Sequence, residues 1–380
     1  MMNIDCNFDG GNIHVVDSSD SNAIKLEIRK DKHADYSQWF YFRAQLNTLE
    51  KCSFTIVNAG QVSYPEAWDD GTIVASYDRQ NWFRISTDYQ RQQLHFSLTP
   101  TQPIMYFSLY IPYSYERHND LIAWALTQQH CQLHSVGRTV EGRPVELLKI
   151  TNNTHSSDQQ NKKNIWIIAR QHPAETMAEW YIEGLLQALL NEDNSLSRSL
   201  MANANFYIVA NMNPDGSIAG NLRTNGAGVD LNRSWLVTNP EQAPESAFVS
   251  KAMDKLGVDV FLDIHGDEEI PFVFAAGCEG NPNYSVHLDK LDKKFRKTLH
   301  QINPDFRVEN GYPADEPGSD DLSIACNQIG HRFNCLSLTI EMPFKDNQYL
   351  PDPIKGWGTE RCKALGQASL IALQQMLADI

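Results

Sequence analysis

In the first third of the chain, apolar positions come in short, aromatic-rich runs at residues 38–43, 53–57, 72–77, 81–85 and 105–111. Clusters of turn-forming residues at 58–60, 69–71 and 100–103 separate them. Short runs at strand spacing, broken regularly by turns, predict an all-β sandwich domain over residues 1–125. Its core is expected to hold Trp39, Phe54, Phe83 and Phe107. Beyond that point the pattern changes. A connector and helix at 113–129 lead into a hairpin at 137–150. Apolar strands at 165–169, 206–210, 258–264 and 336–340 then alternate with helical segments at 175–190, after Pro244, at 285–301 and after Gly356. This alternation predicts an α/β domain over residues 126–380, a mixed, mostly parallel sheet with helices on both faces. The polar stretch 152–163 reads as a surface loop.

At 380 residues, two domains are the expectation, and 42% hydrophobic with 21% charged residues is ordinary for a folded chain. A formal net charge of -15 argues against affinity for nucleic acid or an anionic membrane, and no apolar stretch reaches spanning length. The seven cysteines are scattered, without a C-x-x-C pair, and the N-terminus lacks a signal-peptide pattern. A cytoplasmic location is expected. The sequence carries no signal for oligomeric state.

The candidate chemistry sits at predicted strand ends. His172 and Glu175 follow the strand at 165–169, three residues apart, with Pro173 suited to the first position of a helix whose first turn holds Glu175. His265 follows the strand at 258–264. Each histidine alone reads as an ordinary polar strand-end residue, but with Glu175 they make a His₂Glu set, which binds zinc and leaves a fourth position for water. Asp267 and Glu268 are expected to support the ligands from outside. Glu341 ends the strand at 336–340 and reads either as an ion-pair partner or as a general base, with the base favoured once other strand tips carry chemistry. The Gly- and Asn-rich stretch 221–235 carries Arg223, Asn232 and Arg233, and an arginine fork matches a carboxylate two bonds at a time.

In order along the chain, the 137–150 hairpin, His-Pro-Ala-Glu at 172–175, Asn-Pro-Asp-Gly at 213–216, Asp-Leu-Asn-Arg-Ser-Trp at 230–235, His265-Gly266 and the strand-final Glu341 resemble the zinc metallocarboxypeptidases related to carboxypeptidase A. The N-terminal runs at 38–43 and 108–115 resemble the sandwich that precedes the catalytic domain in the cytosolic carboxypeptidase subfamily. The resemblance implies one zinc ion per chain held by His172, Glu175 and His265, with Glu341 as general base. It implies Arg223 at the oxyanion, and Asn232 and Arg233 on the terminal carboxylate of a peptide or protein substrate. Members of the subfamily often remove glutamate, which makes an acidic terminal residue one option, and Arg332 and Lys345 lie near the base in sequence.

One departure concerns the mobile tyrosine that secreted members carry before the base. Residues 317–333 contain no tyrosine, and Tyr312, just upstream, is the candidate replacement. The loop 311–318 is either a cover over the cleft or an ordinary surface loop. Two other functions compete with peptide trimming: a zinc-dependent deacylase or amidase acting on an acyl-amino acid or peptidoglycan fragment, and a binding module that keeps the fold without catalysis.

Overall fold

The computed structural model describes residues 2–46, 49–152, 162–313 and 315–380. Among these residues, ten strands make up the N-terminal part: β1 (Asn3–Asp5), β2 (His14–Asp17), β3 (Ile24–Glu27), β4 (Tyr41–Gln45), β5 (Cys52–Ile56), β6 (Thr72–Ser76), β7 (Trp82–Ser86), β8 (Asp88–Gln90), β9 (Gln93–Leu98) and β10 (Ile104–Ser108). They form two five-stranded sheets, ordered β1-β4-β10-β6-β7 and β2-β3-β5-β9-β8. Inward-facing aromatics from both sheets meet between them. Phe42 and Phe107 stack at 5.1 Å, and Phe54 lies 5.0 Å from Phe107 and 5.1 Å from Phe96. Trp39, Phe54 and Phe107 are buried as expected, whereas Phe83 is half-buried and packs on Tyr77. Phe83 lies on β7, an edge strand on which only Ile85 is buried.

The remainder runs α1 (Tyr115–Leu126), β11 (Cys131–Arg138), β12 (Pro144–Ile150), β13 (Lys163–Ala169), α2 (Met177–Leu189), α3 (Ser195–Asn203), β14 (Ala204–Val209), α4 (Pro214–Ala219) and α5 (Pro244–Leu256). It continues through β15 (Val260–Asp267), β16 (Phe274–Ala276), α6 (Val286–Ile302), α7 (Ala325–Phe333), β17 (Leu336–Pro343) and α8 (Thr359–Met376). The seven-stranded sheet has the order β11-β12-β14-β13-β15-β17-β16. Its four central strands are parallel, and β11, β12 and β16 pair antiparallel. Alternation along β13 builds a core on each face. Ile165 and Ile167 pack with Leu185 of α2 and Leu373 of α8, while Trp166 and Ile168 pack with Val249 of α5 and Ile329 of α7.

Several sequence expectations shift. β15 and β17 run past their apolar cores, because they stay paired through His265↔Glu341, Gly266↔Met342 and Asp267↔Pro343. His265 and Glu341 therefore lie inside strands and not at their ends. Helix α2 begins at Met177, so Pro173 and Glu175 belong to the turn before it and not to its first turn. The hairpin starts earlier, at Cys131, and Asn-Pro-Asp-Gly opens the short helix α4 with Asn213 as its cap. Helices α3 and α7 were not among the elements expected from the sequence. Residues 153–161 of the expected polar loop lie outside the described residues. Among the described residues, no helix is long and apolar enough to cross a membrane.

Candidate functional site

β13 delivers the chain to a sharp turn at Arg170, whose φ of 58° lies in the left-handed region that a non-glycine residue rarely adopts. Buried contacts hold it there. The guanidinium donates to Pro173 O and Tyr113 O, both at 2.9 Å, and pairs with Glu179 of α2. The turn presents His172 and Glu175 to the same space that His265 enters from β15. Donor atoms of His172, Glu175 and His265 all lie within 4.8 Å of one another, and all three residues are buried. His172 Nδ1 is 2.7 Å from Glu175 Oε1, and His265 Nδ1 is 2.8 Å from Glu175 Oε2. Burial alone would raise the Glu175 carboxyl, but the two imidazoles beside it hold it below the ordinary range.

The outer ring nitrogens meet carboxylates of their own. His172 Nε2 lies 3.0 Å from Asp230 Oδ1, and His265 Nε2 lies 3.0 Å from Asp263 Oδ1. The His172–Asp230 hydrogen bond holds a proton on that outer nitrogen and leaves the inner lone pair for a cation, while the Asp263 carboxylate stands beside the outer nitrogen of His265. Two imidazoles and one carboxylate, turned inward and with carboxylates behind the rings, fit a zinc ion with an open fourth position. The braces are Asp230 and Asp263, not the expected Asp267 and Glu268. Asp267 instead accepts from the Tyr312 hydroxyl at 2.6 Å, and Glu268 lines the cleft.

Glu341 stands beside His265 as its register partner on β17. Glu341 is only 7% exposed, and among the described residues its Oε2 has no hydrogen-bond partner. Burial pushes its carboxyl well above the usual range; Glu175, Asp267 and Glu268 add to this and His265 opposes it. The Tyr312 hydroxyl lies 3.5 Å from Glu341 Oε1. Tyr312, Pro313 and Asp315 of the 311–318 loop all line the cleft and form part of its wall.

Arg223 joins the same cleft, of about 660 Å³, together with Asn232 and Arg233. Its Nε bonds Asp230 Oδ2 at 2.7 Å and its Nη1 bonds the Tyr64 hydroxyl at 2.9 Å. Asn232 is buried and accepts from the Ala325 N–H at 2.9 Å, which ties its loop to α7. Arg233 is exposed and donates to Asn232 O at 2.8 Å. Arg332 and Lys345 stand apart from the cleft: Arg332 bonds Ser250 and Asp254, and Lys345 bonds Asp69 O. A further arginine lining the cleft is Arg296 of α6, which sequence reasoning passed over. Tyr64, 159 residues from Arg223 in sequence, was also missed. Asp263 did leave a signal: a charged residue in an apolar strand, two before His265 and so on the same face.

The zinc carboxypeptidase family profile matches residues 123–357, and that of the cytosolic carboxypeptidase N-terminal domain matches residues 4–110. Human cytosolic carboxypeptidase 2 is 28% identical over 72% of this chain, which spans 34% of that relative's length. A metallo-carboxypeptidase from Pseudomonas aeruginosa, solved in complex with (2-guanidinoethylmercapto)succinic acid, is 45% identical, with a TM-score of 0.96 and 99% of each chain covered. One from Burkholderia cenocepacia is 42% identical over 100% of this chain and 99% of its own, also with a TM-score of 0.96. Both matches run through the sandwich as well as the seven-stranded sheet. The inward-facing His₂Glu donors thus belong to a metallocarboxypeptidase, a member of the zinc carboxypeptidase family that carries the cytosolic carboxypeptidase N-terminal domain.

Proposed function

We propose that this enzyme removes the C-terminal residue of peptide or protein substrates, with His172, Glu175 and His265 holding one zinc ion. Glu341 acts as the general base, Arg223 steadies the oxyanion, and Asn232 and Arg233 grip the terminal carboxylate. The observation that carries this reading is the meeting, in one cleft, of the three donors, a buried carboxylate with an unpartnered oxygen, and two arginines.

His172, Glu175 and His265 would hold a zinc ion that, when bound, would supply Lewis acidity to the scissile carbonyl and to a water near neutral pH. Glu341 takes the proton from the attacking water and passes it to the leaving amine. Its buried carboxyl gains basicity from burial and from the neighbouring carboxylates, which suits both transfers. Arg223 is braced at Nε and Nη1, so its charge meets the oxyanion without reorganising. Arg233 offers a cationic fork to the carboxylate that defines a chain end. The test is a trio of substrates: a free-carboxylate peptide, its C-terminal amide and an N-acyl amino acid. The free-carboxylate peptide is expected to be trimmed fastest. Preferred release from the N-acyl amino acid would favour the deacylase.

The wall charges bear on the terminal residue. The Arg296 guanidinium is spent within the protein: Nη2 bonds Glu279 and Asp292, both at 2.9 Å, Nε pairs with Asp292, and Nη1 bonds Ala275 O. Burial and the neighbouring Asp315 push the Asp320 carboxyl up to about 7. Glu279, Asp315 and Asp320 crowd this lining, so a cationic side chain among them would relieve their mutual repulsion, where an acidic one would add to it. The ligand of the Pseudomonas aeruginosa relative, which carries a guanidino group, supports the same reading. A panel of peptides differing only in the last residue is expected to rank Lys or Arg above Leu, and Leu above Glu. Faster release of Glu would restore the acidic option.

The seven cysteines are free, and relatives in the subfamily are named cytosolic carboxypeptidases, which supports a cytoplasmic location. Fractionation of the source cells tests it.

A further inference from the structure

The loop that carries Arg223 is held from the sandwich side. Asp31, in the segment after β3, is 5% exposed, and its carboxylate takes four bonds from this one stretch. It accepts from the backbone N–H groups of Leu222 at 2.5 Å, Arg223 at 2.8 Å and Thr224 at 2.9 Å, and from the Thr224 hydroxyl at 3.0 Å. Tyr64, between β5 and β6, lines the cleft and accepts from Arg223 Nη1 through its hydroxyl. The Tyr36 ring lies 5.7 Å from the same guanidinium. Gly228 follows the sandwich surface so closely that a Cβ there would sit 2.4 Å from His33 O.

We propose that the N-terminal sandwich is a working part of the active site, with Asp31 and Tyr64 as positioning residues for Arg223. Asp31 sets the path of the backbone at 222–224, and Tyr64 sets the direction of the guanidinium. The opposite side of that guanidinium is braced by Asp230, whose other oxygen holds His172. The polar chain Tyr64–Arg223–Asp230–His172 thus runs from the sandwich to a metal donor. Simple adhesion between two domains calls for apolar area. It does not call for a carboxylate collecting three consecutive N–H groups, nor for a hydroxyl placed on a cleft-lining arginine. A displacement of about 1 Å in such a group costs on the order of 10²-fold in rate.

The inference rests on the reading of Arg223 as the oxyanion residue, so the test measures that residue too. Tyr64→Phe, Asp31→Asn and Arg223→Gln are each made in the full-length zinc enzyme, together with Tyr64→Phe/Arg223→Gln. Steady-state kinetics, zinc content and Tm are recorded for each. Arg223→Gln is expected to lower kcat by roughly 10²–10³-fold, as loss of one oxyanion donor does. Tyr64→Phe and Asp31→Asn are expected to lower kcat by about tenfold or more, with KM and zinc content near parental. Tyr64→Phe should cost nothing further once Arg223 is gone. Parental kcat in Tyr64→Phe, or an equal loss with and without Arg223, would overturn the inference while leaving Arg223 in its role. Parental kcat in Arg223→Gln would overturn both.

Discussion

His265 on β15 and Glu341 on β17 are direct register partners across a parallel strand pair. The backbone ladder thus sets a metal donor and the proposed base side by side, with no loop between them to lend play. Such a pair keeps its spacing when neighbouring side chains are changed, which makes substitutions in this site interpretable one at a time.

Metal affinity is expected to depend on two layers of residues. Glu175→Ala removes the carboxylate that both imidazoles face, and zinc content measured by elemental analysis should fall from about one per chain to near zero. Asp230→Asn and Asp263→Asn keep all three donors but weaken the hold on the ring protons. Each should lower zinc affinity by roughly 10–100-fold in competition with a chelator. Unchanged affinity in both would mean that these carboxylates do not orient the histidines.

Tyr312 bonds Asp267 and lies near Glu341. Tyr312→Phe is expected to retain zinc and lower kcat/KM by about two- to tenfold, the range of one hydrogen bond worth ~0.5–1.5 kcal/mol. Loss of zinc in this variant would assign the tyrosine to metal binding instead.

A pH effect is expected away from the cleft. Glu245, in the first turn of α5, is fully buried, and burial pushes its carboxyl from an ordinary 4.5 up to about 7, with Asp215 adding and the Asn225 hydrogen bond opposing. The folded chain therefore binds this proton more tightly than the unfolded chain. Stability from this group falls as pH rises from about 4.5 to about 7, and the full cost is present above that. Glu245→Gln keeps the shape and removes the titration. The stability difference between variant and parent should shift in the variant's favour by about 3 kcal/mol between pH 4 and pH 8. A difference that does not change with pH would show that Glu245 stays ionised in the fold.

Much of this arrangement was legible in the sequence where one strand or one short motif carried it. The run Ile165–Ile168 marked β13, and the residues that the strands deliver, His172, Glu175, His265 and Glu341, do meet in the cleft. Apolar patterning could not give the strand ends, because pairing between β15 and β17 continues beyond the apolar residues. Nor could it show that the left-handed turn at Arg170 delays helix α2 beyond Glu175. Asp31 and Tyr64 act on Arg223 from more than 150 residues away, and no local spacing records such contacts. Arg296 was hidden for another reason: Asp292 pairs with it one turn away on α6, but its bonds to Glu279 and Ala275 O depend on how α6 lies against β16 and the loop after it.

Glu341→Gln tests the central claim most directly, since it preserves size and hydrogen bonding while removing the base. The purified variant should hold about one zinc ion per chain and release terminal residues from a free-carboxylate peptide roughly 10²–10⁴-fold more slowly than the parent. Undiminished turnover with zinc still bound would contradict the assignment of Glu341 as the base and the account of the site built around it.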